Sequence, residues 1–374
     1  MASVGIRSDR QLGDKGRKEA DRNNHAEAGF LDTEFSAPII EHGEHHAIPR
    51  GQHAHSNLKR EDQSLRMHCA TLVIKASHEW RPHLNRRSVE GMDVAVVDYT
   101  SPDAPKQFTK SLRETGFAVL INHPIPYDIV LRLQNEWHEF FRSERKWNYL
   151  PSETEQDGYR PLEEAETAVG AEVKDIKEYY HWYPWGRQPE LESASAAAVY
   201  QAGWSLAAEL LSWVEANTPA EISKNFSMPL SQMIEGTRRT LLRILHYPPL
   251  RGDEPADAVR AAAHEDINMI TVLPASNEPG LQVRDLNGNW HDVPCDPGSV
   301  AINAGDMLDY VTNGYYPSTT HRVNNPVGEA AKRARISTPL FLHPADDVLI
   351  AENKTAFEFL RDRIKQISGV ELTK

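Results

Sequence analysis

Cysteine is scarce in this 374-residue chain, which contains only Cys69 and Cys295. Two cysteines far apart in sequence provide neither a CxxC metal site nor a disulfide framework, so we expect a reducing compartment, the cytoplasm. Cys295 is then expected to be an unpaired, partly buried thiol. Long apolar runs are also missing: none approaches the roughly 20 residues that cross a bilayer, and charges interrupt any secretory signal near Met1. The sequence therefore predicts no membrane partner.

Basic residues are outnumbered by acidic ones, and the formal net charge is -13 at pH 7. Affinity for nucleic-acid phosphates comes from clustered Lys and Arg, so this charge argues against a dedicated nucleic-acid binder. The apolar fraction, 40%, is ordinary for a globular protein. These properties favour a protein that acts on a small molecule.

The chain divides by composition into an irregular beginning and an orderly remainder. Residues 1–91 are polar and rich in histidine, and they lack helical or strand periodicity, so we predict a poorly ordered extension. A single domain is predicted over residues 92–374. Its expected parts are a helical and strand portion at 92–235, a catalytic core at 236–345 and a C-terminal helix at 346–374.

Periodicity within the domain predicts helices over 102–115, 129–147, 191–216 and 355–367. Gly116 is expected to end the first of these helices. From about residue 238 onward, short apolar runs alternate with turn signals such as Asp296-Pro297-Gly298. Short strands separated by turns indicate an antiparallel barrel rather than βαβ units. The predicted fold is mainly β with flanking helices, around a double-stranded β-helix, or jelly roll.

Three side chains form a candidate metal site: His264, Asp266 and His321. In an extended chain, side chains two apart point to the same face, so His264 and Asp266 present an imidazole and a carboxylate side by side. His321 would complete the set. Two histidines and one carboxylate on one face of an octahedral ion leave positions open for a co-substrate and O₂, which suits non-haem Fe(II). A lone His-x-Asp is commonly just a polar loop, but the strand-like runs beside it favour a site.

Several further motifs occur in a fixed order around these residues. They are Leu281-Gln282-Val283, Ile302-Asn303-Ala304-Gly305-Asp306, Thr312-Asn313-Gly314, His321-Arg322-Val323 and Arg335-Ile336-Ser337. From about Met92, the chain resembles the isopenicillin N synthase-like branch of the iron and 2-oxoglutarate dependent dioxygenases. The resemblance implies that Arg335, Ser337 and Tyr247 bind a carboxylate of 2-oxoglutarate. Arginine suits that role because its planar fork pairs with a carboxylate through two parallel hydrogen bonds.

The resemblance implies an oxygenase that consumes 2-oxoglutarate and O₂, releases succinate and CO₂, and hydroxylates, desaturates or cyclises a small organic substrate. Two alternatives stay open. Isopenicillin N synthase itself uses no 2-oxoglutarate, and Leu245 stands where many plant relatives carry an Asn that contacts the co-substrate. A non-catalytic jelly-roll module could also hold a metal ion, although structural zinc usually has four protein ligands.

Segments near the predicted mouth of the barrel provide candidates for a substrate pocket. By resemblance, these are Tyr159, Arg160, Tyr180, His181 and Trp182. Packing of the helical layer onto the barrel explains the aromatic residues equally well. The set hints at a small anionic or amino-acid-like substrate, yet it also fits flavonoid, alkaloid or nucleobase substrates.

Two polar residues next to site residues are expected to face away from the site. By strand alternation, His246 points away from the side of Tyr247, so it is not expected to be a ligand. Arg322 follows His321 directly, and we expect it to form a structural ion pair on the opposite face.

Overall fold

The computed structural model describes residues 92–151, 156–164, 174–255, 258–368 and 372. The predicted extension at 1–91 lies outside the described residues. The strands are β1 (Val96–Asp98), β2 (Phe117–Ile121), β3 (Gly158–Arg160), β4 (Glu178–Trp182), β5 (Leu241–Tyr247), β6 (Ala261–His264), β7 (Ile270–Pro274), β8 (Leu281–Arg284), β9 (Trp290–Asp292), β10 (Val300–Ala304), β11 (His321–Val323), β12 (Arg335–Ser337), β13 (Leu340–Leu342), β14 (Leu349–Ala351) and β15 (Lys354–Thr355). The helices are α1 (Ala104–Thr115), α2 (Tyr127–Arg142), α3 (Ser193–Ala216), α4 (Ala220–Ser223), α5 (Leu230–Met233), α6 (Asp306–Val311) and α7 (Ala356–Ser368).

Two sheets build the core of the described domain. The main sheet has the order β1-β2-β10-β7-β13-β5-β4-β3, and β12 also pairs with β5. Its pairings are antiparallel apart from the parallel pair β1–β2. The smaller sheet has the order β6-β11-β8-β9 and is antiparallel. From β5 onward the chain passes back and forth between the two sheets, which confirms the predicted jelly roll.

Strand β5 runs through the middle of this arrangement, and all seven of its residues are buried. Leu242 and Ile244 belong to the same apolar core as Leu133 of α2 and Leu206 of α3, so this face of the strand packs against helices. The alternate residues, Arg243, Leu245 and Tyr247, therefore face the interior of the barrel. Burial on both faces explains why β5 is a nearly continuous apolar run rather than an alternating one.

The helices follow the predicted pattern with shifted ends. Helix α1 ends at Gly116, which adopts φ 73° and donates its N–H to the carbonyl of Leu112 at 2.8 Å. The helix expected to run from 129 to 147 stops at Arg142 because Ser143 is extended, and a short 3₁₀ segment, Glu144–Tyr149, follows. Strands β2 and β4 come from the predicted 92–235 portion and pair with β10 and β5 of the predicted core. The division of the domain at these boundaries stays a prediction.

Candidate active site

The two candidate histidines lie side by side on adjacent strands of the smaller sheet. His264 ends β6, His321 begins β11, and the two are direct partners in the antiparallel register, with ring centroids 4.3 Å apart. Nδ1 of His264 lies 2.8 Å from the carbonyl of Ala262, and Nδ1 of His321 lies 3.1 Å from that of Thr319. The tautomer that donates from Nδ1 to these carbonyls presents Nε2 of each ring as the ligand atom. Both rings are thus oriented as metal ligands.

Asp266 places one carboxylate oxygen against both imidazoles. Its Oδ1 lies 3.8 Å from Nε2 of His264 and 3.8 Å from Nε2 of His321. Its Oδ2 accepts hydrogen bonds from Thr271 Oγ1 at 2.6 Å and from Asn303 Nδ2 at 2.9 Å. Asp266 is 2% exposed, and Oδ1 is buried with no hydrogen-bond partner among the described residues.

These three side chains fit a metal ion with open positions. Their potential ligand atoms all lie within 4.8 Å of one another. Within the described part of the chain, this is the one group of three or more His, Cys, Asp or Glu side chains that could hold a metal ion. Bonds of about 2.1 Å to an octahedral ion place neighbouring ligand atoms about 3 Å apart, so a small inward rotation would close the set. A buried carboxylate oxygen without a hydrogen-bond donor is costly unless a cation compensates it. The donor set of two nitrogens and one oxygen suits Fe(II).

The predicted carboxylate-binding residues meet at the other sheet. In the register of β5 and β12, Arg335 is opposite Tyr247 and Ser337 is opposite Leu245, so all four side chains share the interior face. The Arg335 guanidinium lies 5.4 Å from the centre of the Tyr247 ring, and its Nη1 has no hydrogen-bond partner among the described residues. Burial raises the pKa of Tyr247 against the opposing influence of Arg335, so the phenol stays protonated and can donate.

A cavity of about 510 Å³, including the part open to solvent, connects these two groups. The three metal-site residues line it together with Tyr247 and Ser337. Its apolar lining includes Phe117, Leu245, Leu273, Leu281, Val323 and Phe341.

The predicted substrate residues separate into two groups. Tyr159, Tyr180 and Trp182 belong to the apolar core, where Tyr180 packs 4.9 Å from Trp137 of α2 by ring centroids. This corrects the expectation that these three aromatic residues line a substrate pocket, because they face the helices. Arg160 and His181 lie on the opposite, interior face of the sheet.

Two polar neighbours of the site residues, His246 and Arg322, face away from the cavity. His246 faces away from the cavity as predicted: its Nδ1 lies 2.7 Å from Glu178, and its ring stacks on Phe141. Arg322 also points away from the metal site, but it forms no ion pair with any residue that the structure describes, so that part of the prediction was wrong. Its guanidinium donates to the Gln282 amide oxygen and lies 4.1 Å from the centre of the Trp290 ring.

Sequence reasoning assigned no role to four polar residues that matter at the site. Thr271 and Asn303 hold Asp266, while Arg243 and Lys177 line the cavity. Strand alternation offered a signal for Arg243, because it is four residues before Tyr247 and therefore shares its face. Thr271 and Asn303 are cross-strand partners, a relation that appears only once the register of β7 and β10 is known.

The site combines two imidazoles and one carboxylate at a jelly-roll cavity, with no fourth protein ligand among the described residues. This fold and this set of ligands define a non-haem iron oxygenase. Comparison with known proteins agrees. The profile of the 2OG-Fe(II) oxygenase superfamily matches residues 239–344, and that of the N-terminal region of non-haem dioxygenases in morphine synthesis matches residues 93–200.

Individual relatives extend this agreement over most of the described chain. A Shewanella oneidensis protein described as an oxygenase is 50% identical, with a TM-score of 0.68 over 73% of this chain and 98% of its own. A Caulobacter crescentus protein described as a 2OG-Fe(II) oxygenase family member is 30% identical, with a TM-score of 0.61 and the same coverage. Gibberellin 3-beta-dioxygenase 1 of Arabidopsis thaliana is 26% identical over 274 residues, which are 70% of this chain and 73% of that protein.

This chain belongs to the 2OG-Fe(II) oxygenase superfamily. It is an enzyme, a dioxygenase that depends on Fe(II) and 2-oxoglutarate, and small molecules are the expected substrates. The resemblance seen in the sequence is confirmed at the level of the family. Within the described residues, no helix combines the length and apolar character needed to span a bilayer.

Proposed function

We propose that His264, Asp266 and His321 hold the catalytic Fe(II). The observation that carries this proposal is the buried Oδ1 of Asp266, which lacks a hydrogen-bond donor among the described residues and lies 3.8 Å from both Nε2 atoms. Hydrogen bonds from Thr271 and Asn303 occupy Oδ2, which leaves Oδ1 as the ligand atom. The chain would thereby supply three ligands to the ion.

We further propose that Arg335, Ser337 and Tyr247 bind the distal carboxylate of 2-oxoglutarate. Support comes from the unpartnered Nη1 of Arg335 and from the shared interior face of the three side chains. Burial lowers the pKa of Arg335, yet a guanidinium starts so high that it keeps its charge at neutral pH. Leu245, which replaces the Asn of many plant relatives, places an apolar side chain between these groups and Arg243.

When bound, the iron and 2-oxoglutarate would supply the oxidising chemistry: one oxygen atom of O₂ is used to convert 2-oxoglutarate to succinate and CO₂, and the other to oxidise the organic substrate. The residues of the chain position the reactants. Arg335, Ser337 and Tyr247 would hold the distal carboxylate of the co-substrate, in the same cavity that the three metal-site residues line. The apolar lining excludes water and holds the organic substrate near the metal. The outcome proposed is hydroxylation, desaturation or ring closure of that substrate.

The charge and the thiol content of the chain bear on its partners and its compartment. A net charge of -13 and a largely apolar cavity at the metal site favour a small-molecule substrate without a nucleic-acid partner. Cys295 is a free, half-buried thiol, in line with a reducing compartment, for which we propose the cytoplasm.

The metal assignment is tested by Asp266→Ala. Removing one of three ligands should abolish Fe(II) retention. The thermal unfolding midpoint should change little, because losing the burial cost of the unpartnered Oδ1 offsets losing the two hydrogen bonds to Oδ2. Asp128→Ala, at an exposed position of α2, is the matched control. Iron is quantified after anaerobic loading and desalting, and unchanged iron content in Asp266→Ala contradicts the assignment.

The co-substrate assignment needs a separate measurement. Succinate formation and O₂ uptake are followed with and without 2-oxoglutarate. We expect both to require the keto acid. Uptake of O₂ that is independent of 2-oxoglutarate would instead favour an oxidase of the isopenicillin N synthase type.

A further inference from the structure

A second buried arginine, Arg260, lies at the proposed carboxylate site. It directly precedes β6 and has 0% of its surface exposed. Its guanidinium lies 5.9 Å from the centre of the Tyr247 ring, and the guanidinium of Arg335 lies 5.4 Å from the same ring centre. Two cations therefore share one phenol ring, one from the start of β6 in the smaller sheet and one from β12, which pairs with the main sheet.

Arg260 is held in place by its neighbours, but they do not use all of its donors. Its Nη2 donates to the carbonyl of Arg333 at 2.9 Å, and its backbone N–H donates to the side-chain oxygen of Asn325 at 2.9 Å. Its Nε and Nη1, like Nη1 of Arg335, have no hydrogen-bond partner among the described residues. A buried guanidinium with empty donors is costly unless an anion compensates it.

Glu278 exerts its charge on both arginines, but its carboxylate oxygens bond elsewhere. Both oxygens accept hydrogen bonds from Arg333, at 2.5 and 3.0 Å, while Arg335 reaches only the backbone carbonyl of Glu278, at 2.9 Å. Burial lowers the pKa of Arg260, and the charge of Arg335 lowers it further, although Tyr247 and Glu278 oppose this shift. The two cations are thus balanced only in part within the described chain, and the carboxylate of a ligand would relieve their repulsion.

Arg260 does not itself line the cavity, so its influence on a ligand passes through its neighbours. Tyr247 lines the cavity together with Ser337. Burial raises the pKa of Tyr247, and the charges of Arg335 and Arg260 are among those that oppose the rise. A cation against the phenol makes its hydroxyl a stronger hydrogen-bond donor, which favours a carboxylate as the acceptor.

We propose that Arg260 is a positioning residue for the co-substrate: through Tyr247, and alongside Arg335, it makes the site select a 2-oxo acid that carries a second carboxylate. The proposal rests on the proposed function, because it takes the carboxylate site at Arg335, Ser337 and Tyr247 as given. It adds that two guanidinium groups, rather than one, produce the selectivity. The competing role for Arg260 is a structural brace between β6 and the segment before β12.

The test compares 2-oxoglutarate with 2-oxopentanoate, which has the same five-carbon chain and 2-oxo acid group but no distal carboxylate. Each keto acid is titrated anaerobically into the enzyme loaded with Fe(II), and the visible charge-transfer band of the iron chelate reports its Kd. In Arg260→Met, we expect the affinity for 2-oxoglutarate to fall about tenfold, because one nearby charge is lost from a buried site, and the affinity for 2-oxopentanoate to stay within about twofold.

Further variants separate charge from packing. Arg260→Lys keeps the charge and should retain most of the preference for 2-oxoglutarate. Arg335→Met should keep a preference of about tenfold because Arg260 is still present, and combining it with Arg260→Met should remove most of what is left. Arg238→Met is the control, since this arginine also lies over an aromatic ring, that of Trp185, and is outside the cavity lining.

The band formed with 2-oxopentanoate shows that a variant is folded and holds iron; if Arg260→Met lacks it, Arg335→Met decides. Equal weakening of both keto acids in Arg260→Met would make Arg260 a structural brace and overturn the proposal. So would an unchanged preference in that variant, or the loss of all preference in Arg335→Met. Failure of the proposed function looks different, because the wild-type enzyme would then form no band with either keto acid or would bind the two equally.

Discussion

The two hydrogen bonds to Oδ2 of Asp266 should set the affinity for Fe(II). Thr271 and Asn303 donate to this oxygen at 2.6 and 2.9 Å, and both are buried, with exposures of 2% and 3%. They fix the carboxylate so that Oδ1 faces the two imidazoles. Thr271→Val removes one donor with almost no change in volume, and Asn303→Leu removes the other.

The expected magnitude follows from the nature of these bonds. A hydrogen bond to a charged acceptor contributes about 1.5–3 kcal/mol, which corresponds to about a tenfold to hundredfold change in Kd. Partners of metal ligands typically have effects of this size. Because both donors bond to one oxygen and are cross-strand neighbours, the double variant should lose less than the product of the single effects.

The assay is an anaerobic competition between the enzyme and a chromophoric Fe(II) chelator, with thermal unfolding followed in parallel. Thr109→Val is the control, since Thr109 is also buried but donates to the carbonyl of Pro105 within α1. A Thr271→Val enzyme that binds Fe(II) as tightly as the Thr109→Val enzyme would refute the role given to these hydrogen bonds.

Two further predictions concern stability. Burial and the charge of Arg239 lower the pKa of His343 to about 3, although Asp346 opposes this shift. In the unfolded chain this histidine takes up a proton as the pH falls below about 6.5, while in the folded protein it stays neutral. The free energy of unfolding should then fall about 2 kcal/mol more between pH 7 and 5 in wild type than in His343→Leu, measured by urea unfolding; equal losses would contradict this. Gly116→Ala should cost more than Gly328→Ala in the same assay. Both have positive φ, but only at Gly116 would a Cβ meet Thr319 and Pro317, and equal costs would show that this close contact is unimportant.

The metal triad was predictable because its signals are local. A two-residue spacing on an extended chain brings His264 and Asp266 to one face, and the ordered motifs identify His321. Turn residues likewise predicted the alternation of short strands. What the sequence does not contain is the register, which places His321 directly opposite His264 and Asn303 opposite Thr271.

The substrate side was harder to predict for a physical reason. Strand β4 is buried on both faces, so its sequence, Glu178 to Trp182, shows no alternation of polar and apolar residues that would tell one face from the other. Tyr180 and His181 are equally buried, yet only His181 faces the barrel interior. Neighbouring residues in such a strand can be assigned only when the pairing with β5 is known.

The pairing of β2 with β10 and of β4 with β5 has a practical consequence for protein engineering. A shortened chain that keeps only the segment carrying the metal and carboxylate residues would strip two neighbours from the main sheet and expose apolar strand edges. Such a fragment should aggregate rather than retain iron. Transplanting this chemistry to another protein therefore requires the preceding helices and strands as well.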